Sequence, residues 1–193
     1  MGLMIHSLGE LPLEAQRGYY IYLLDYGWRE PLGDVLHHNF DRMAGLASRH
    51  NAVVLKGTVG SHFEDEVLSW HHVNGQSAEE LLPAIMITTR HPSQFREIGQ
   101  AWSKTQDRLL LIPLRKVCRT AGEVIKLIEK LFSDIAQGKS LTDFAIAREI
   151  KEGKAGAVLD ALILQPNVAG LGININRIID FFLGKKRSSL DRK

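Results

Sequence analysis

Eight histidines and the carboxylates beside them are the first groups in this 193-residue chain that could do chemistry. His37-His38, His62 with Glu64, Asp65 and Glu66, His71-His72 and His91 offer imidazole nitrogens and carboxylate oxygens, the ordinary ligands of zinc or iron. The spacing argues against a metal centre. No HExxH occurs, no cysteine assists, and adjacent histidines project in divergent directions from a helix, so one ion could not take both. The strongest set is His62, Glu64 and Asp65, which would suit a metal-dependent hydrolase or nuclease. Exposed or hydrogen-bonded histidines need no such spacing, and that plainer reading is adopted: no metal, no cofactor and no catalytic residue is expected.

Cys118 sits among Arg115, Lys116 and Arg119, and convergent cations would favour its thiolate. A nucleophile also needs a positioned base and an oxyanion site, which the sequence does not supply. A small buried cysteine at a strand edge is the expectation. The same cations would serve a nucleic-acid adaptor by touching phosphate, but 24 basic against 22 acidic residues leave a formal charge of +2, no field to drive such binding. Gly170-Leu171-Gly172 lacks GxxxxGK[ST] and does not complete GxGxxG, so it reads as a turn.

Composition bounds the classes. Hydrophobic residues make up 45% and charged residues 24%, which excludes a disordered, collagen-like or disulfide-built chain. A single cysteine fits a reducing cytoplasm. No stretch reaches the roughly 18 apolar residues of a membrane span, and the N-terminus lacks a basic n-region.

The elements that must position these groups follow from periodicity. Tyr19–Leu24 is an apolar run closed by Asp25-Tyr26-Gly27, a buried strand and its turn. From Pro31, the residues Leu32, Val35, Leu36, Phe40, Met43 and Ala47 predict one helix of about 17 residues. Ala52–Leu55 is a second strand, and strand, helix, strand with short links implies a right-handed parallel crossover. Phe63 to Val73 predicts a helix with Ser61 as its cap and acids in its first turn. A helical turn at 77–82, a strand from Pro83 to Thr89 and another over Leu109–Leu114 come next. Ser93–Asp107 is an irregular excursion or a short helix. Glu123–Gln137 carries an unbroken apolar stripe ended by Gly138. Beyond it, helices are expected from Ser140 to Ile150, over Ala155–Leu164, and over Ile175–Phe182, closed by Gly184.

The succession over residues 19–137 resembles a thioredoxin-like fold. The segment Leu23-Leu24-Asp25-Tyr26-Gly27-Trp28-Arg29-Glu30-Pro31-Leu32 is similar to that family's strand-to-helix turn, where a tryptophan precedes the redox motif. Leu82-Pro83-Ala84-Ile85-Met86-Ile87 is similar to the segment where the family carries a cis-proline. The family's two cysteines are absent from the turn, so dithiol exchange does not carry over.

The resemblance implies an α/β, thioredoxin-like mixed sheet flanked by helices, and the roughly 55 residues after Gly138, too few to enclose a core of their own, read as a C-terminal helical appendage. Residues 1–138 form the domain, 139–184 the appendage packed on it, and 185–193 a mobile basic tail. The function expected is a redox-inactive module that binds a protein partner or joins a larger assembly. A homo-oligomer is compatible with it and nucleic acid is not favoured. The resemblance places a partner segment on Trp28, Arg29, Glu30, Leu82 and Pro83, with Leu82–Pro83 cis. The terminal helix offers Ile178, Ile179 and Phe182 as a docking face.

Overall fold

The structure, a computed structural model, describes residues 1–14, 16–27, 30–71, 73–74, 81–96, 109–151, 162–164 and 173–174. Its strands are β1 (Gly2–Ile5), β2 (Tyr19–Leu24), β3 (Ala52–Gly57), β4 (Val73–Asn74), β5 (Ala84–Thr88), β6 (Leu109–Pro113), β7 (Leu162–Leu164) and β8 (Ile173–Asn174). The helices are α1 (Pro31–His38), α2 (Phe40–Arg49), α3 (Phe63–Trp70), α4 (Ser93–Arg96), α5 (Leu114–Val117), α6 (Ala121–Ala136) and α7 (Ala145–Lys151). Short 3₁₀ turns occupy Leu8–Glu10 and Leu141–Asp143.

The fold is mixed α/β, as the pattern of elements predicts. One sheet runs in the order β1-β3-β2-β5-β6-β7, and β4 pairs separately with β8. β1, β3 and β2 are parallel, while β5, β6 and β7 each run antiparallel to the neighbour before them. All six residues of β2 are buried, because the strand lies inside the sheet and both its faces are covered.

Alternation along the strands divides the core in two. Tyr19, Ile21 and Leu23 of β2 join Val54, Ile85, Ile87, Leu110 and Ile112 beneath α1, α2 and α6. Tyr20, Tyr22 and Leu24 join Val53, Leu55, Met86 and Leu111 on the other face, beneath α3, Leu8, Leu11 and Phe95. The stripe on α6 behaves as its spacing requires: Val124, Leu127, Ile128, Leu131, Phe132 and Ile135 are all buried. Thr120 caps that helix by accepting the Glu123 N–H, and Gly138 ends it at φ +64°, where a Cβ would be strained.

One buried carboxylate ties the segment after α6 to this core. Asp134, 3% exposed, accepts hydrogen bonds from Lys139 Nζ and from the Ala145 N–H, both at 2.6 Å. The Lys139 carbonyl in turn accepts the Tyr19 hydroxyl at 2.6 Å. Phe144, Ile146 and Ala147 then complete the α6 side of the core.

Several expectations change. The helix from Pro31 is two helices, broken at Asn39, whose side-chain amide donates to the Val35 carbonyl and so competes with the backbone ladder. Ser61 does not cap α3; its hydroxyl donates to the Thr58 carbonyl, and His62 precedes the helix. Ser140 leads into a 3₁₀ turn before α7 rather than one helix, and its hydroxyl donates to Asp143. Leu162–Leu164, expected to end a helix from Ala155, is strand β7, because it covers the open edge of β6. β1 has no counterpart in the expectations: four residues at a half-covered edge carry too little alternation to read. The turn at 77–80, the terminal helix with Ile178, Ile179 and Phe182, the Gly170–Gly172 turn and the basic tail lie outside the described residues.

Replacing Asp134 with Ala leaves the Ala145 N–H and Lys139 without their acceptor, at an expected cost of about 2–4 kcal/mol. Lys130→Ala removes only the exposed pair with Glu149 and is expected to cost less than about 1 kcal/mol. Urea unfolding midpoints measure both; equal midpoints for the two variants would show that the buried tie carries no special stability.

Candidate functional site

The end of the sheet where β2 and β3 finish collects most of the groups singled out in the sequence. In an open α/β sheet the chain leaves neighbouring parallel strands toward opposite faces at one point, and a crevice opens there. Here the chain leaves β2 for α1 on one face and leaves β3 for α3 on the other. Leu24 pairs with Ala84, so Asp25 and the turn after it begin beside Pro83.

The Leu82–Pro83 bond is cis, as the resemblance implies. The Pro83 carbonyl accepts the Leu114 N–H at 2.8 Å, and the next residue, Arg115, holds Glu30 through Nε at 2.8 Å and Nη2 at 2.5 Å. Glu30, Leu82 and Pro83 therefore meet at one end of the sheet. Leu82 and Pro83 are themselves buried, so the groups offered to solvent beside them come from Glu30 and Arg115. The Glu30 carboxylate and the Asp25 charge hold the Arg115 guanidinium further above its already high value. Trp28 and Arg29 lie outside the described residues.

Beneath this turn lies a polar arrangement that the sequence did not announce. Asp25 Oδ2 lies 2.9 Å from His37 Nε2, and Oδ1 accepts the Gly27 N–H at 3.2 Å. The carboxylate is 8% exposed and the imidazole 45%. Gly33 makes the approach feasible, since a Cβ there would run into the Asp25 carboxylate. Glu64 is buried nearby, and burial pushes its carboxyl above the usual range. Hydrogen bonds from its own N–H and that of Asp25 oppose the shift, while Asp25 and Asp65 add to it. A strand-ending Asp followed two residues later by Gly was the available signal for this pair, and it is a weak one.

The acid and histidine cluster does not converge. His62 is 93% exposed and 3.7 Å from Asp65, Asp65 accepts the Tyr26 hydroxyl at 2.9 Å, and Glu64 points inward. The paired histidines diverge as their helix positions require: His37 meets Asp25, whereas His38 Nδ1 meets the Asp34 carbonyl at 2.6 Å. Among the described residues, no three His, Cys, Asp or Glu side chains are placed to hold a metal ion.

Cys118 is buried, and desolvation, with Glu123 adding to it, pushes its thiol up to about 11. Its basic sequence neighbours do not offset this, because Arg115, Lys116 and Arg119 are exposed while the sulfur is inside. A thiol in that state is a poor nucleophile at neutral pH. Among the described residues, no helix is long and apolar enough to cross a membrane.

The raised Glu64 carboxyl gives a signed pH effect. A folded-state pKa above the unfolded one means the native state binds the proton more tightly, so this contribution is present at low pH and lost as pH rises through the folded value. Glu64→Gln keeps an acceptor for the Asp25 N–H and removes the buried charge. It is expected to raise the urea midpoint at pH 7.5 relative to the parent, with the gain shrinking toward pH 4. A gain that grows as pH falls would contradict the assignment. Compared with protein-family models, curated proteins and solved structures, the chain matches none.

Proposed function

We propose that the chain is a redox-inactive, thioredoxin-like interaction module that docks a protein segment at the sheet end where Glu30 and the Leu82–Pro83 backbone lie, with Trp28 and Arg29, which precede Glu30 in the sequence and lie outside the described residues, as further contacts. The observation behind the reading is the tie from the Pro83 carbonyl at the start of β5, through the Leu114 N–H and the Arg115 side chain, to Glu30 at the turn before α1. The strand order, with β5 antiparallel to β2 beside three parallel strands, supports the same resemblance. The turn holds Arg29-Glu30 where the family has thiols, and Cys118 is buried elsewhere. Function inferred from a fold is an analogy, and the docking surface has to be tested at its residues.

A single cysteine is consistent with a reducing cytoplasm, and protein partners or an assembly are the expected company. Neither the hydrolase nor the nucleic-acid alternative gains an observation, since Glu64 is buried away from the exposed His62–Asp65 pair and Arg115 is paired with Glu30.

Two measurements test the proposal. With dithiothreitol as electron donor, reduction of a model disulfide is expected to proceed no faster than without the protein, and turnover matching an active thioredoxin would overturn the redox-inactive reading. Partners captured by the tagged chain from its native host are expected to be lost with Trp28→Ala and with Glu30→Lys, and kept with Lys130→Ala. Glu30→Lys breaks the partly exposed pair and sets a second cation against Arg115, so a urea midpoint matching the parent's is required for lost capture to report binding rather than unfolding. Unchanged capture by both turn variants would remove the docking claim and leave the fold intact.

A further inference from the structure

At one edge of the sheet β1 pairs with β3 and, among the described residues, with no other strand. Its odd-numbered residues face β3. The Met1 amino group donates to the Ala52 carbonyl at 3.2 Å, the Met1 carbonyl accepts the Val54 N–H at 2.8 Å, and the Ile5 carbonyl accepts the Thr58 N–H at 3.1 Å. Alternation along a parallel ladder then points the N–H and C=O of Gly2 and Met4 away from the sheet. The strand, Gly-Leu-Met-Ile, carries no charge and no proline, and its register to β3 is unbroken, so the usual guards of an open edge are missing. The edge closes at His6, whose N–H donates to Glu10 at 3.1 Å.

The two outward residues are opposite in shape. A Cβ at Gly2 would run into Ala44 and Phe40 of α2, so that position is bare, while Met4, on the same face two residues on, is 62% exposed. In an antiparallel pairing of two such strands centred on Leu3, Gly2 of each copy stands opposite Met4 of the other, and each such pair exchanges both of its backbone hydrogen bonds. The Met4 side chain then lies over the bare Gly2 backbone. On the other face the half-buried Leu3 side chains meet across the axis, at the closer spacing of a pair that is not hydrogen-bonded. An axis at Met4 would instead set Gly2 opposite His6, whose N–H is already given to Glu10. An axis at Gly2 would set the two bare positions against each other. The axis at Leu3 uses every outward group of both strands.

We propose that β1 joins two copies of this chain edge to edge, antiparallel about a two-fold axis at Leu3, with Met4 of each copy seated over Gly2 of the other. The contact is isologous, because the same knob and the same gap lie on both copies. It continues the sheet from one copy into the next. The proposal stands apart from the docking reading, since β3 and β2 separate β1 from β5 and Pro83.

Sedimentation equilibrium of the full-length chain between about 5 and 500 μM tests the pairing, a range chosen because so short a contact makes a weak dimer. The parent's average mass is expected to rise with concentration toward that of two chains. Met4→Pro removes an N–H that points away from β3, which an edge strand tolerates, so this variant is expected to stay monomeric with a urea midpoint close to the parent's. Met4→Leu keeps the N–H and an apolar side chain and is expected to associate as the parent does. Hydrogen exchange locates the contact: the Met4 amide is expected to exchange about 5-fold more slowly at the highest concentration than at the lowest, while the Leu3 amide, which faces β3, changes little. A parent that is monomeric throughout would overturn the proposal and leave the edge to a strand of another protein. Association that survives Met4→Pro would overturn it by placing the interface elsewhere. Should Met4→Pro fail to fold, Met4→Lys at the same exposed position takes its place, and association equal to the parent's would again reject the pairing.

Discussion

The structure depends on β2 being enclosed on every side. Its six side chains are all buried, its edges are occupied by β3 and β5, and its two faces are covered by different sets of elements. A strand of that kind cannot slip by one residue, since Tyr19, Ile21 and Leu23 would exchange faces with Tyr20, Tyr22 and Leu24. The parallel register to β3 and the antiparallel register to β5 therefore share one reference. Everything after β2 is placed by it: the turn from Asp25, the crossing to α1, and the position of Pro83 opposite the strand's end.

Enclosure on both faces also explains why polar groups in this core are few and mostly paired. Asp134, Glu64 and His91 each sit where two elements must be joined, and each meets backbone groups that those elements leave over. Asp134 joins α6 to α7, Glu64 joins α3 to the end of β2, and His91 joins the chain at Pro12 to the segment after β5. Tyr22 departs from the pattern: its buried hydroxyl has no hydrogen-bond partner among the described residues, and the desolvation drives its pKa well above the usual value. The ring packs edge-on against His71 at 5.1 Å, so the aromatic contact rather than the hydroxyl accounts for its place in the core.

At the end of β2 the same economy produces a dense set of carboxylates. Asp25 meets His37 and accepts the Gly27 N–H, Glu30 pairs with Arg115, and Asp65 accepts the Tyr26 hydroxyl. Each of these acids has its own partner, and among the described residues they do not converge on a shared site for an ion. The Arg115–Glu30 contact links the element after β6 to the turn before α1, across a separation of 85 residues. It is the side-chain contact that assembles Glu30 and Pro83 into one feature.

Much of this architecture was legible in the residues themselves. Apolar runs too short for helices marked β2, β3, β5 and β6, and the stripe on α6 with its terminal glycine could have no other meaning, because period and caps are local properties of the chain. What the chain order could not decide were the matters settled by distant partners. Asn39 divides a helix because its own amide competes for the Val35 carbonyl, and Leu162–Leu164 is a strand because β6 leaves an edge to cover. Asp25 meets His37 only because Gly33 has no side chain, and His62 is separated from Glu64 only by which way α3 faces the sheet. Local propensity is written residue by residue, whereas burial, pairing and charge environment are decided by what the rest of the chain brings alongside.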